Sequence, residues 1–304
     1  MSRRDVGLFL ALAAAWGTAF VATKAALASV PPVLLAALRF DVALVVLLGV
    51  ALASGVRLRP TRADVAPVLT GGVFTVGLHH ALLFAGQQYV TSAAASVLMG
   101  LVPILTPAAA RLVGHADRLD ARGLVGVGVG FLGVVLMADP GDGVAADSGV
   151  LGVAFVLGSA LAWVLGAVLT REERASLGAL AAQVWMAAVG VVLLHGAALL
   201  VPGQSFAAAT PTPAAAAWTL YLAVVPGAAG FLVYFHLLGR LGPVRMGLLE
   251  YAIPPFAAAF GWLVLGETPS VATGLGFLAV CCAFALVAGG ALRATVRRRL
   301  ADVE

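Results

Sequence analysis

Stretches of about twenty apolar residues, separated by short polar turns, recur from one end of this chain to the other. A helix needs about 20 such residues to cross the hydrocarbon core of a bilayer. Segments of that kind lie at 6–28, 33–53, 66–87, 92–113, 121–138, 149–170, 178–200, 215–238, 243–265 and 270–291, which predicts ten transmembrane helices and leaves almost no chain for a soluble domain. Composition agrees: of 304 residues, 62% are hydrophobic and 11% charged, whereas water-soluble domains carry about 25% charged residues. The fold class read from these features is an all-α integral membrane protein.

A membrane β-barrel would need segments of about ten residues with alternating polarity. The run GLVGVGVGFLGVVLM at 123–137 does not alternate that way, and lipid offers no partner to unpaired backbone groups, so helices are the good reading. The N-terminal MSRRDVGLFLALAAAWGTAF has the look of a signal peptide, with AlaLeuAla at 26–28 as a loose cleavage site. Its apolar run is too long for that, and Lys24 interrupts the cleavage region, so it is expected to stay as the first span.

Cations set the orientation. Arg3, Arg4, Arg57, Arg59, Arg62, Arg111, Arg118, Arg122, Arg171, Arg174, Arg240, Arg245, Arg293, Arg297, Arg298 and Arg299 all fall on one side of the ten spans, leaving Lys24 and Arg39 as the exceptions. An opposite loop holds Asp139, Asp142 and Asp147. Both termini are therefore expected in the cytoplasm. Topology accounts for the net charge of +4 without a nucleic-acid partner, and the basic tail can touch membrane lipids.

An internal repeat organises the chain. VTSAAASVLMGLVPILTPAAARLVGHADRLDARGLVG (90–126) lies without a gap over LGPVRMGLLEYAIPPFAAAFGWLVLGETPSVATGLGF (241–277), placing Pro103 on Pro254, Leu98 on Leu249, Leu112 on Leu263 and Gly123 on Gly274. AlaAlaTrpGly at 14–17 sits over LeuAlaTrpVal at 161–164, with Lys24 over Arg171. The expected domains are a first five-helix repeat (1–138), an extracytoplasmic linker (139–148), a second five-helix repeat (149–291) and a basic cytoplasmic tail (292–304). Because five is odd, the second copy must lie inverted in the membrane. That plan is typical of secondary transporters, whose substrate site sits near the midplane between the halves.

The TrpGly of the first span, LeuArgPhe at 38–40, the prolines Pro103 and Pro254, and LeuGlyGlu at 265–267 before a glycine-rich last helix resemble the drug/metabolite transporter superfamily, specifically its EamA-type members. The resemblance runs through both halves. It implies a ten-helix inverted-repeat bundle that carries, and often exports, amino acids and other small metabolites. It also implies a cavity enclosed by helices one, three, four, six, eight and nine. The first copy departs from the pattern: where the second has Gly266 and Glu267, it has GlyHisAlaAsp at 114–117.

Glu250 is the leading candidate site residue. It lies about eight residues into the ninth segment, roughly 12 Å deep and close to the midplane, where a charge must face the bundle interior, a cation or water. Three roles are open: a structural partner for a neighbouring helix, a contact for the cationic part of a substrate, or a carboxylate that loads and releases a proton. The first copy has Met99 at the matching position, so any such role is asymmetric.

Other polar groups follow. His79 and His80 lie mid-span, and neighbours on a helix diverge by about 100°, so at most one is expected to face a cavity, its default role a satisfied imidazole. Gln87, Gln88 and Tyr89 read first as interfacial anchors and then as gate residues. Lys24 and Arg39 are expected to snorkel outward, with Lys24 a candidate partner for Asp41; a structural ion pair competes with a positive patch that draws in carboxylates. Trp16, Trp163, Tyr234 and Tyr251 supply aromatic surface, with core or belt positions as the plainer account. Gly126, Gly130 and Gly133 read as close helix packing.

Enzymatic signatures are missing from the sequence: it has no HisGluXXHis, no Walker A segment and no nucleophile elbow. No cofactor or metal is expected. His79, His80, His195 and His236 lie at unsuitable depths for haem, and the adjacent Cys281 and Cys282 cannot clamp a metal. Without a nucleotide-binding segment, transport has to be gradient-driven or facilitated. The resulting expectation is a multi-pass secondary transporter of the plasma membrane acting on a small-molecule substrate. A receptor or assembly protein, or a channel on the same fold, are the alternatives.

Overall fold

The computed structural model describes residues 2–112, 121–137, 146–170, 176–242 and 246–301. Its helices are α1 (Arg3–Leu27), α2 (Pro32–Ala53), α3 (Arg62–Gln87), α4 (Ser92–Arg111), α5 (Ala121–Met137), α6 (Ala146–Leu169), α7 (Ala179–Leu200), α8 (Pro213–Leu241), α9 (Leu249–Leu265) and α10 (Val271–Ala301). Seven of these, α1 to α4 and α6 to α8, are long and apolar enough to cross a membrane, while Ala121–Leu136, Leu249–Leu265 and Val271–Val287 are shorter apolar helices. No strand occurs among the described residues.

Sequence chemistry sets the helix ends. Ser2 opens α1 with a reciprocal capping box to Asp5, each bond 3.1 Å long, which satisfies two backbone donors that a helix start leaves open. Thr91 and Thr212 cap α4 and α8 by accepting from the N–H groups of Ala94 and Ala215, and Pro32 and Pro213 occupy first-turn positions where a missing N–H costs nothing. Gly266, at φ 69°, ends α9 in the left-handed conformation that glycine adopts without penalty.

Interruptions lie inside four runs that read as continuous in the sequence. α4 breaks at Gly100 and Leu101, after its first segment Ser92–Met99, and resumes at Val102. α9 proper begins at Leu249, with Leu248 as its cap, rather than at 243. Glu250 therefore occupies the first turn of α9 instead of lying two turns inside it, a place where the helix dipole favours an acidic group. Residues 243–245, and the GlyHisAlaAsp departure at 114–117, lie outside the described residues. α3 and α8 each contain a π-helical stretch, Gly71–Leu78 and Ala223–Ala229. The shift of 151 residues that carries Pro103 onto Pro254 also carries 72–78 onto 223–229.

Packing pairs α1 with α9, α2 with α7, α3 with α6, and α5 with α10. The glycines of α5 permit its close approach: a Cβ on Gly126 would lie 2.8 Å from the Ala283 carbonyl, and one on Gly133 would lie 3.0 Å from that of Gly276. Gly17 does the same on α1, where a Cβ would meet that of Phe256 at 2.6 Å. Large apolar side chains such as Val45, Val192, Leu199 and Val271 project outward. A continuous apolar coat of this kind suits lipid and would be a liability in water.

Candidate functional site

A cavity of about 100 Å³ lies inside the bundle, with walls from α1, α2, α3, α4, α6, α8 and α9. One water occupies about 30 Å³ in the liquid, so the space suits a small solute. It includes the six helices that the family resemblance implies and adds α2 through Arg39.

Aromatic rings form much of the wall. Trp16 on α1 and Trp163 on α6 both line it, joined through Phe231 on α8, which lies 5.9 Å from the first ring and 6.5 Å from the second. The Trp16 indole N–H donates to the carbonyl of Pro226 at 3.1 Å, fixing the ring against the π-helical stretch of α8. Tyr234 stacks behind Trp16 at 5.4 Å. It supports the wall without lining the cavity. Tyr251 turns away, its hydroxyl donating to the Gly100 carbonyl at the break in α4 while its ring packs on Phe284.

Both histidines reach the cavity, against the expectation that at most one would. The space wraps around α3 where α2 and α6 pack against it, so two adjacent helix positions both border it. His79 and His80 lie with ring centroids 4.5 Å apart. Nδ1 of His79 donates to the Ser159 carbonyl at 3.1 Å, with the Ser159 hydroxyl at 2.8 Å, and Nδ1 of His80 donates to the Val76 carbonyl at 3.0 Å. Carbonyl oxygen only accepts, so Nδ1 carries the proton in each ring. Trp163 borders His79, and Phe40 borders His80.

Two charged side chains share the space. Arg39 is only 6% exposed and faces inward rather than snorkelling. Snorkelling needs a short apolar path to the interface, and Phe40 and Phe84 instead flank the guanidinium, with its carbon 5.0 and 5.8 Å from their ring centroids. Glu250 lines the same cavity and makes no hydrogen bond or ion pair with any other described residue. The remaining polar candidates close the bundle elsewhere. Lys24 pairs with Glu267 at 3.6 Å and donates to the Val90 carbonyl, and Glu267 also accepts from the Ser92 N–H at 2.9 Å. Asp41 is bonded to His195 on α7 at 2.9 Å. The expected Lys24–Asp41 pair is therefore replaced by two others, because α2 packs its Asp41 side on α7 rather than on α1. Gln87 is fully buried, donating to the Phe20 carbonyl at 2.9 Å, so it ties α3 to α1 rather than anchoring at an interface. Gln88 is exposed and Tyr89 half-buried.

Sequence reasoning did not find Phe20, Leu83, Met99, Val102, Phe231 or Ile253 on the wall, since apolar residues in an apolar helix carry no distinguishing mark. Met99 alone had a signal, as the repeat counterpart of Glu250. Among the described residues no group of acidic, histidine or cysteine side chains could hold a metal ion.

A multi-pass helical membrane protein with an internal cavity, lined by rings, one arginine and one glutamate, is the class these features define. The sequence matches the model of the EamA-like transporter family over residues 5–138 and 150–289. The chain belongs to that family. An "Uncharacterized inner membrane transporter YedA" from Escherichia coli strain K12 is 27% identical over 87% of this chain and 84% of its own length. A "Probable amino-acid metabolite efflux pump" from Salmonella typhimurium is 26% identical over 88% and 89%. A "Probable terminal-alkyne amino-acid exporter" from Streptantibioticus cattleyicolor is 27% identical over 84% and 83%. A solved crystal structure, 22% identical, superposes with a TM-score of 0.64 over 94% of this chain and 98% of its own. At that identity the likeness bears on the fold alone.

Proposed function

We propose that the protein is a secondary transporter that exports small metabolites such as amino acids by alternating access. The observation that carries this reading is the shared cavity, in which Arg39 and Glu250 face one small space without pairing to each other. A bundle stabilised for its own sake would neutralise two such charges, because an unpaired charge in a membrane interior is expensive. A carrier leaves them for its cargo.

In this reading ten helices span the plasma membrane as two inverted five-helix repeats, 1–138 and 149–291, joined by an extracytoplasmic linker, with both termini and the basic tail in the cytoplasm. The coincidence of π-helical stretches at 72–78 and 223–229 supports the repeat. Interrupted helices beside the cavity, α4 at Gly100 and α9 at Leu249, are the devices by which transporters of this plan build a midplane site. The Lys24–Glu267 link joins α1 to the end of α9 and, through Ser92, to the start of α4, so it would have to open for release on that side. Export and amino-acid-like cargo are supported by the names of the Salmonella and Streptantibioticus relatives. Glu250 meets the cationic part of the solute or carries a coupled proton; its partners are a small-molecule solute and membrane lipids, with no nucleic acid.

Counterflow in proteoliposomes loaded with a mixed pool of amino acids and small metabolites tests this. A carrier gives selective, saturable uptake stimulated by solute on the opposite side. Flux that rises linearly without saturating would instead indicate a channel, and no flux of any pool member would favour a receptor or assembly protein.

A further inference from the structure

Most charged groups inside this bundle have a partner. Asp5 accepts from Arg240 at 3.0 Å, Asp64 accepts from the N–H groups of Ser176 and Leu177, and Lys24 has Glu267. Arg39 differs. It makes no hydrogen bond or ion pair with any other described residue, its Nε is buried without an acceptor, and its guanidinium carbon lies over the rings of Phe40 and Phe84, beside the His79 and His80 imidazoles. Rings compensate a cation only in part. A guanidinium presents five donors in a planar fork that matches a carboxylate bidentately, and it cannot escape by deprotonating. The cavity supplies the rest of a binding site: Arg39 is part of its lining, together with the indoles of Trp16 and Trp163 and the Phe231 ring as an apolar wall.

From this geometry we infer that Arg39 is the residue that recognises the cargo, receiving the carboxylate of a small carboxylate-bearing solute whose apolar remainder lies against the Trp16–Phe231–Trp163 wall. The inference rests on the carrier reading for its meaning in transport, but recognition can be measured without transport. A site that relies on one bidentate contact discriminates sharply against an analogue that cannot form it, because the buried donors are then left unpaired. Burial of the guanidinium without a counter-ion is a cost to the empty protein, of the kind found where function and stability compete.

The test uses the purified full chain in detergent, with L-valine, L-alanine, L-threonine and isovalerate as carboxylate probes and L-valinamide as the probe lacking a carboxylate. Binding is read by solute-dependent thermal stabilisation and equilibrium titration. The expected result is that at least one carboxylate binds, that valinamide does not, and that Arg39→Gln weakens the carboxylate by on the order of ten- to a hundredfold, with Arg39→Lys in between. The solute-free Arg39→Gln protein should melt no lower than the wild type. Equal binding of valine and valinamide, unchanged affinity in Arg39→Gln, failure of every carboxylate to bind, or collapse of both Arg39 variants without solute would each overturn the assignment. The two readings separate cleanly. Arg39-dependent binding without exchange in vesicles keeps the assignment and sinks the carrier, whereas saturable exchange of valinamide that ignores Arg39 does the reverse.

Discussion

Arg39 and Asp41 stand two residues apart on α2, yet the fold treats them oppositely. Asp41 looks toward α7, where His195 lies 2.9 Å away and both side chains stay about a third exposed. Arg39 looks into the cavity, is buried, and has no partner among the described residues. One helix therefore carries a charged group that has a hydrogen-bonding partner and one that has none among the described residues. The same division runs through the bundle: Lys24 with Glu267 belongs to the first kind, Glu250 to the second. Satisfied charges tie helices together, and in the carrier reading the unsatisfied ones await a solute.

That division makes a ranked set of stability predictions, each read by thermal unfolding in detergent. Glu267→Ala should cost most, about 2–3 kcal/mol, since it strips both Lys24 and the Ser92 N–H of a charged acceptor in a poorly exposed site. Trp16→Phe should cost about 1 kcal/mol, the net worth of the bond to the Pro226 carbonyl. Asp41→Asn weakens a pair whose side chains are about a third exposed and should cost about 0.5 kcal/mol or less. Arg39→Gln and Glu250→Gln should cost nothing or raise stability, because each removes an unpaired charge from the interior. Transport should follow the cavity instead, with Arg39→Gln most damaging and Asp41→Asn nearly silent. A large loss of stability in Arg39→Gln would dissolve the distinction between the two ends of this comparison.

The all-helical membrane character was legible in the chain because lipid imposes a single length scale. Apolar runs near 20 residues leave a mark in composition, and the two cavity tryptophans leave one in spacing. Interruptions did not. A π-helical stretch shifts hydrogen bonds by one residue without changing which residues are apolar, and nothing in GPVRMGLLE at 242–250 marks Leu249 as the start of α9. Charge pairing was misjudged for a similar reason. Lys24 was matched with Asp41 on the nearest helix in sequence, whereas Asp41 finds His195, more than 150 residues on. Arg39 looked like an outer-edge side chain because depth along a helix is readable from sequence but direction around it is not. The same blindness placed Gln87 at an interface and Tyr251 at the cavity. Trp16, Trp163, His79, His80 and Glu250 were found because each is a polar or aromatic rarity in an aliphatic span, and the fold brings all five to one space.

The most direct test of the carrier reading is solute exchange in proteoliposomes, comparing the wild type with Glu250→Gln at two pH values on either side of neutrality. The account predicts saturable exchange in the wild type that changes with pH, and exchange in Glu250→Gln that either loses that pH dependence, marking Glu250 as a proton carrier, or fails for cationic and zwitterionic solutes alone, marking it as their contact. Absence of exchange for every solute in the pool, or identical pH-dependent exchange in both proteins, would contradict it.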